Sequence, residues 1–224
     1  MALGLEVAEL LRRNLGKPKI ILVGWSWGSV LGVKMARARP DLFYAYVGTG
    51  QVVNYGRVRE DGYPQLMAEA RGRGIRRAVQ ELGAIGPPPY DSMSQETVYD
   101  KWADAFEPGM SSTWSNILTA LFDSPITVHD ASSVIRGVRS SRDHFRAELS
   151  ALNLSSETDF AIPIFFFQGA LDNTVPPLKP WFDSVRAPQK QLVLITEAGH
   201  NAINTRRADF LGLLVERVRP LAIQ

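Results

Sequence analysis

The 224-residue sequence contains no cysteine, so disulfide bonds and cysteine-based metal sites are excluded. It has no apolar run near the roughly 20 residues of a membrane-spanning helix. The first sixteen residues mix acids with arginines and lack the apolar core of a signal peptide. The net charge of +2 comes without a dense basic run, which argues against a nucleic-acid interface. We therefore expect a cytoplasmic protein with no membrane span and no nucleic-acid partner.

The most informative stretch is a short apolar run that leads into Gly24-Trp25-Ser26-Trp27-Gly28 and then into a helical pattern. A strand, a Gly-x-Ser-x-Gly turn and a helix form a nucleophile elbow, in which the serine hydroxyl is presented at the apex of the turn. We expect glycine at positions 24 and 28 because a Cβ at either would collide with the neighbouring strand or helix. Ser26 is the candidate nucleophile.

Apolar segments alternate with helical patterns along both ends of the chain. Strands are predicted at 20–23, 43–47, 164–168 and 191–195, and helices at 4–15, 26–39, 177–185 and 201–218. Between the second and third strands the pattern is helical, with helices predicted at 63–82, 95–106, 112–122 and 132–152. Strands that are apolar throughout and separated by helices indicate a parallel sheet buried on both faces. The predicted fold is α/β, with a core of residues 1–56 and 156–224 and a helical insertion of residues 57–155 over the carboxyl edge of the sheet.

A serine hydroxyl needs a base to take its proton, and the base needs a third group to orient it. Asp172 follows the third strand and His200 follows the fourth, so both side chains are expected at the same edge of the sheet as Ser26. The rivals are less suitable: Asp159 precedes its strand, and His129 and His144 fall in the helical insertion. The order Ser26, Asp172, His200 is that of α/β-hydrolases.

The chain resembles the α/β-hydrolase superfamily, and within it the proline-iminopeptidase-like branch, whose elbow often reads Gly-x-Ser-Trp-Gly-Ser. The matching residues are Gly24, Ser26, Trp27, Gly28 and Ser29, with the Gly169–Asp172 turn and the Gly199-His200 pair. The resemblance implies a serine hydrolase that acts on esters or amides through an acyl-enzyme, with residues 57–155 as a lid. It implies a small ester or a short peptide as substrate and neither a metal nor an organic cofactor.

The sequence departs from the family on the N-terminal side. In the family, a glycine-rich loop upstream of the elbow helix supplies one oxyanion-hole N–H, and no His-Gly-Gly segment occurs here. We therefore expect a core truncated at that side. The backbone N–H of Trp27 is the assigned oxyanion donor, Gln51 is a candidate side-chain donor, and Trp25 is a candidate for lining the substrate pocket.

The same departure would leave the strand at 20–23 as an uncovered apolar edge, which is an association hazard. We expect a second copy of the chain to cover it, giving a homo-oligomer. The alternative is that the sequence is a fragment of a longer protein.

Three functions stay open from the sequence. The first is cleavage of small carboxylic esters, and the second is proline-type aminopeptidase activity. Aminopeptidases of the branch that the chain resembles use lid acids to hold the amino terminus of the substrate. No motif selects one of the available acids, which are better interpreted as surface residues (Glu96, Asp104, Glu107 and Glu148). The third is a low-activity, hydrolase-like binding module without a complete oxyanion hole.

Overall fold

The computed structural model describes residues 1–106 and 151–223, together with Ser133, Gly137 and Glu148. Contacts divide the chain into a first unit, Met1–Val58 with Asn153–Gln224, and a second unit, Arg59–Leu152. The predicted helix at 112–122 and nearly all of that at 132–152 lie outside the described residues. The lid role given to residues 57–155 stays a prediction.

The first unit is built on a parallel sheet. Its strands in the described chain are β1 (Ile20–Trp25), β2 (Phe43–Thr49), β3 (Ile164–Gly169) and β4 (Lys190–Ile195), in the order β1-β2-β3-β4. β3 is buried at every position and β2 at nearly every one, as expected for parallel strands covered on both faces. The predicted α/β fold with a parallel sheet is confirmed.

Within residues 1–106 and 151–223, the helices are, in chain order, α1 (Ala2–Asn14), α2 (Trp27–Ala38), α3 (Tyr55–Gly72), α4 (Arg76–Ile85), α5 (Met93–Phe106), α6 (Val175–Ser184), α7 (Ala202–Thr205) and α8 (Arg207–Leu213). A short 3₁₀ turn, Pro40–Leu42, follows α2. A π-helical turn, Leu214–Val218, and a 3₁₀ turn, Arg219–Ala222, follow α8. The last predicted helix, 201–218, is therefore three shorter segments, because the α-helix is interrupted at Arg206 and becomes π-helical after Leu213.

The helix predicted at 63–82 is likewise wrong in its bounds, because it is two helices. α3 begins eight residues earlier than predicted, at Tyr55, where the Asn54 side chain accepts a hydrogen bond from the Arg57 N–H at 2.9 Å. The helix ends at Gly72, and just beyond it Gly74 has a φ of +66°, which allows the Ile75 N–H to reach back to the Ala70 carbonyl at 3.0 Å. This is the glycine-dependent Schellman termination of a helix.

The sheet of the first unit has a helical layer on each face. On one face Tyr46 and Phe166 point toward α2 and α6, and Phe166 packs edge-on against Trp181 with ring centroids 5.5 Å apart. On the other face, Phe165 and Phe167 are wholly buried in a cluster with Phe210 of α8. Alternate residues of β3 therefore face opposite layers, which is the period of a strand.

The carboxyl ends of the strands lie level within the pair β1 and β2 and within the pair β3 and β4. Trp25 pairs with Thr49, and Gly169 pairs with Ile195. Ser26 and the loops that follow the other strands therefore emerge at one edge of the sheet, which is where open α/β folds bind their ligands.

In the described sheet β1 is an edge strand, as predicted. Val23 on this strand is 42% exposed, and several leucines of α1 are exposed as well, Leu3 at 72% among them. An apolar edge strand of this kind offers unpaired backbone groups to another chain.

The second unit has its own apolar cluster. It contains Ala70, Ala78, Leu82, Trp102 and Phe106. Beside it, hydrogen bonds from Lys101 and Arg77 lower the pKa of Glu81 to about 2, and the Trp102 Nε1–H donates to the same carboxylate at 2.9 Å. No described helix in either unit has the length and apolarity needed to cross a bilayer.

Candidate active site

Ser26 is the single residue between β1 and α2. Its φ of +52° and ψ of −123° are unusual for a residue with a side chain, and such a conformation costs about 1–3 kcal/mol. Hydrogen bonds hold it on both sides: the Ser26 N–H donates to the Thr49 carbonyl at 3.0 Å, and the Ser29 N–H donates to the Ser26 carbonyl at 2.9 Å. The turn thus has the strained backbone of a nucleophile elbow.

The two glycines of the elbow differ in what an added Cβ would contact. A Cβ on Gly24 would lie 2.8 Å from the Gly28 carbonyl oxygen and from the Ser29 Cα, so the predicted collision is confirmed at this position. A Cβ on Gly28 would meet nothing within 4 Å, so the prediction is wrong there. Gly28 lies in the first turn of α2, and the space beside its Cα is open.

The side chain of Ser29 stabilises the elbow through two hydrogen bonds. Its buried hydroxyl donates to the Ser26 carbonyl at 2.5 Å and accepts the Val52 N–H at 3.1 Å. One side chain therefore joins the strained turn to the loop that follows β2. Sequence reasoning assigned Ser29 only to the family pattern and missed this role.

Gln51 was a candidate oxyanion donor, but its carboxamide is occupied in the core. The side chain is fully buried, its Oε1 lies 2.7 Å from the Tyr46 hydroxyl, and its Nε2 donates to the Val52 carbonyl at 3.0 Å. Burial raises the pKa of the Tyr46 phenol, so the phenol keeps its proton as a donor. These contacts favour a structural role for Gln51.

Asp172 lies in a tight turn after β3. The Asp172 N–H donates to the Gly169 carbonyl at 3.1 Å, and the Thr174 N–H donates to Asp172 Oδ1 at 2.9 Å. The carboxylate is wholly buried, and a buried carboxylate requires such donors to offset its lost hydration.

The loop after β4 rests directly on this turn. The Leu171 N–H donates to the Ala198 carbonyl at 2.9 Å, and the Ala170 N–H donates to the Ile195 carbonyl at the same distance. A Cβ on Gly169 would overlap the Gly199 carbonyl oxygen, so only glycine permits this contact. The two loops therefore hold Asp172 and His200 in a fixed relation.

The imidazole of His200 lies between the other two predicted side chains. Its Nε2 is 2.8 Å from Ser26 Oγ, and its Nδ1 is 3.2 Å from each oxygen of Asp172. A carboxylate only accepts hydrogen bonds, so Nδ1 carries the ring proton and Nε2 accepts from the serine. The structure thus brings the three side chains together in the arrangement of a nucleophile, a base and an orienting acid.

Gly50 is a further residue at the site that sequence reasoning missed. Its φ is +53°, and a Cβ there would lie 2.8 Å from the Cε1 and 3.1 Å from the Nδ1 of His200. The available signal was its place in Gly48-Thr49-Gly50, just after a strand on the ligand-binding edge. The loop after β2 therefore closes against the imidazole.

The two tryptophans of the elbow are half exposed, Trp25 at 42% and Trp27 at 47%. Trp25 donates from its Nε1 to the His200 carbonyl at 3.2 Å. Trp27 is the first residue of α2, where backbone N–H groups have no acceptor within the helix. The Trp27 N–H is therefore available to an anion, beside the positive end of the helix dipole.

The other candidates for the acid and the base lie away from Ser26 or outside the described residues. Asp159 precedes β3, and two hydrogen bonds from Arg186, of 2.5 and 2.6 Å, lower the pKa of its carboxyl. His129 and His144 lie outside the described residues. Within the described residues, no three His, Asp or Glu side chains converge as a metal site would require.

Comparison with known proteins gives the same family. A family model described as "Alpha/beta hydrolase family" matches residues 2–212. "Probable aminopeptidase YbaC" of Bacillus subtilis (strain 168) is 28% identical over 205 residues, which is 88% of this chain. The chain spans only 64% of the length of that relative.

Solved structures share the fold at low sequence identity. An alpha/beta fold family hydrolase from Bacillus anthracis str. Sterne has a TM-score of 0.56 at 16% identity, covering 94% of this chain and 71% of its own. The proline iminopeptidase of Mycobacterium smegmatis has a TM-score of 0.56 at 14% identity, covering 95% and 69%. With the family model matching most of its length, the chain belongs to the alpha/beta hydrolase family.

Proposed function

We propose that the chain is a serine hydrolase that cleaves small carboxylic esters through an acyl-enzyme, with Ser26 as nucleophile. The observation that carries the proposal is the hydrogen-bonded series of Ser26, His200 and Asp172, with distances of 2.8 and 3.2 Å. A general base must lie within about 2.6–3.2 Å of the atom whose proton it takes, and His200 Nε2 meets that requirement at Ser26 Oγ.

In the proposed reaction, Ser26 Oγ attacks the carbonyl carbon of the ester while His200 Nε2 takes the hydroxyl proton. The Trp27 N–H donates to the oxyanion of the tetrahedral intermediate. The C–O bond to the alcohol then breaks, and the alcohol leaves with the proton from His200. Water attacks the acyl-enzyme by the same proton path, which releases the carboxylic acid and restores Ser26. Asp172 stabilises the imidazolium and keeps the ring oriented.

Among the described residues, the Trp27 N–H is the donor assigned to the oxyanion. Removing one donor from an oxyanion hole typically costs about 2.7–4 kcal/mol, or roughly 10²–10³-fold in turnover. A hydrolase-like binding module with little turnover is therefore the alternative if no second donor acts beside Trp27.

The proposal is tested by release of p-nitrophenol from a short-chain ester, compared with Ser26→Ala. The wild type should hydrolyse the ester above the uncatalysed rate, and Ser26→Ala should not. Equal rates for the two proteins would reject the nucleophile.

The second candidate function is aminopeptidase activity, favoured by the relative whose name is "Probable aminopeptidase YbaC". An acyl-enzyme mechanism serves both substrates, because Ser26 attacks an ester or an amide carbonyl alike. Prolyl naphthylamide, assayed beside the p-nitrophenyl ester, separates the two. Naphthylamine release that Ser26→Ala abolishes would establish the aminopeptidase.

A further inference from the structure

We propose that Trp25 is a positioning residue, whose indole N–H holds the backbone of His200 so that the imidazole reaches Ser26. The inference rests on the proposed function, because it assigns a residue that acts through the proposed base. It adds a tether between the strand that delivers the nucleophile and the loop that delivers the base.

The tether is a hydrogen bond between distant parts of the chain. Trp25 Nε1 donates to the His200 carbonyl at 3.2 Å, across 175 residues of sequence. The indole and imidazole ring centroids are 6.5 Å apart, with the planes inclined at 39°. Trp25 also immediately precedes Ser26, so one residue fixes both partners of the proton transfer.

The segments on either side of His200 have backbone anchors of their own. The preceding segment is held at Ala198, whose carbonyl accepts the Leu171 N–H at 2.9 Å. The following segment is held by α7, where the Asn204 N–H donates to the Asn201 carbonyl at 2.9 Å. The Trp25 indole holds the carbonyl of His200 itself.

The contact of the imidazole with its acid is shared between two oxygens. Nδ1 is equally distant, at 3.2 Å, from both oxygens of Asp172, so that contact does not select one of them. The His200 side chain is 30% exposed. The position of the backbone then decides how often Nε2 lies within reach of Ser26 Oγ.

The competing interpretation is that the half-exposed Trp25 ring contacts substrate. The two roles separate kinetically. Loss of a positioning bond lowers the rate of nucleophilic attack without weakening substrate binding, whereas loss of a substrate contact raises KM.

The test uses Trp25→Phe, which keeps an aromatic ring and removes the N–H donor, and Trp25→Leu, which removes both. For each, kcat and KM are measured on a p-nitrophenyl ester, with the rate at which a fluorophosphonate labels Ser26. We expect kcat and the labelling rate to fall about 3- to 10-fold in both variants, which is the effect of one neutral hydrogen bond. The KM of Trp25→Phe should stay within about twofold of the wild type, since its ring is kept. A wild-type labelling rate in Trp25→Phe, or a raised KM with unchanged kcat, would overturn the inference.

A second measurement does not depend on the folding of a variant. In the wild-type chain, the assigned indole N–H of Trp25 should exchange with solvent more slowly than a free indole, because it is hydrogen-bonded. Exchange at the rate of a free indole would contradict the tether.

Ser26→Ala, assayed in parallel, separates failure of the inference from failure of the proposed function. If Ser26→Ala retains ester hydrolysis, the proposed function fails. If Ser26→Ala is inactive while Trp25→Phe matches the wild type, only the tether fails.

Discussion

Gly50→Ala tests the placement of the imidazole against the loop after β2. The added Cβ would lie 2.8 Å from His200 Cε1, whereas carbon atoms in contact are about 3.5–4.0 Å apart. The ring or the loop must therefore move by about 0.7 Å or more. Since the Nε2 to Ser26 Oγ contact is 2.8 Å, such a shift takes the ring off the path of proton transfer.

A misplacement of about 1 Å at a reacting group costs on the order of 10²-fold in rate. We expect kcat of Gly50→Ala to fall about 10- to 10²-fold on a p-nitrophenyl ester. The residue also has a φ of +53°, so alanine there adds about 1–2 kcal/mol of backbone strain, which thermal unfolding will register.

Gly16→Ala is the matched control. Gly16 has a φ of +60°, and its Cβ would meet nothing within 4 Å. It closes α1, where the Lys17 N–H donates to the Arg12 carbonyl at 3.0 Å. Gly16→Ala should show a similar stability loss with wild-type kcat. If Gly50→Ala is as active as Gly16→Ala, the contact between the loop and His200 is refuted.

Three further predictions concern the elbow and the sheet edge. Ser29→Ala leaves the Ser26 carbonyl and the Val52 N–H without the hydroxyl that both contact. It should therefore lower the free energy of unfolding, measured by urea titration, by about 2–3 kcal/mol. An unchanged free energy of unfolding would contradict the role of the Ser29 hydroxyl. Gly24→Ala should lower the free energy of unfolding by about 1–3 kcal/mol or more, because backbone atoms occupy the space that the added Cβ needs. Gly28→Ala should leave the free energy of unfolding unchanged or raise it by up to about 1 kcal/mol, because the space there is open. Similar losses in the two variants would refute this difference between the glycines. We expect a second copy of the chain to cover the exposed edge of β1 and the apolar side of α1, so sedimentation at micromolar concentration should show a dimer or larger species; a monodisperse monomer would count against it.

The parallel sheet and the three site residues were predictable because their signals are local. Apolar runs mark buried strands, and Ser26, Asp172 and His200 each follow such a run. Since parallel strands end at one edge, their order in the sequence was sufficient to predict that the side chains meet.

The supporting residues were not predictable because their roles depend on contacts distant in sequence. Nothing near Gly50 indicates that His200 will lie against it, and nothing near Trp25 indicates a carbonyl 175 residues away. Gln51 differs from these residues because its partner Tyr46 is nearby in the sequence, but the sequence does not show that both side chains are buried in the core. The break between α3 and α4 was missed although Gly74 was visible, because a helical apolar pattern continues across it.

Labelling by a fluorophosphonate shows whether Ser26 is an activated nucleophile. The reagent bonds to a serine whose hydroxyl is activated by a neighbouring base, and peptide mass spectrometry locates the adduct. We predict a single adduct on Ser26 in the wild type, strongly reduced in His200→Ala and absent in Ser26→Ala. An unlabelled Ser26 in the folded wild type, or equal labelling in His200→Ala, would contradict it.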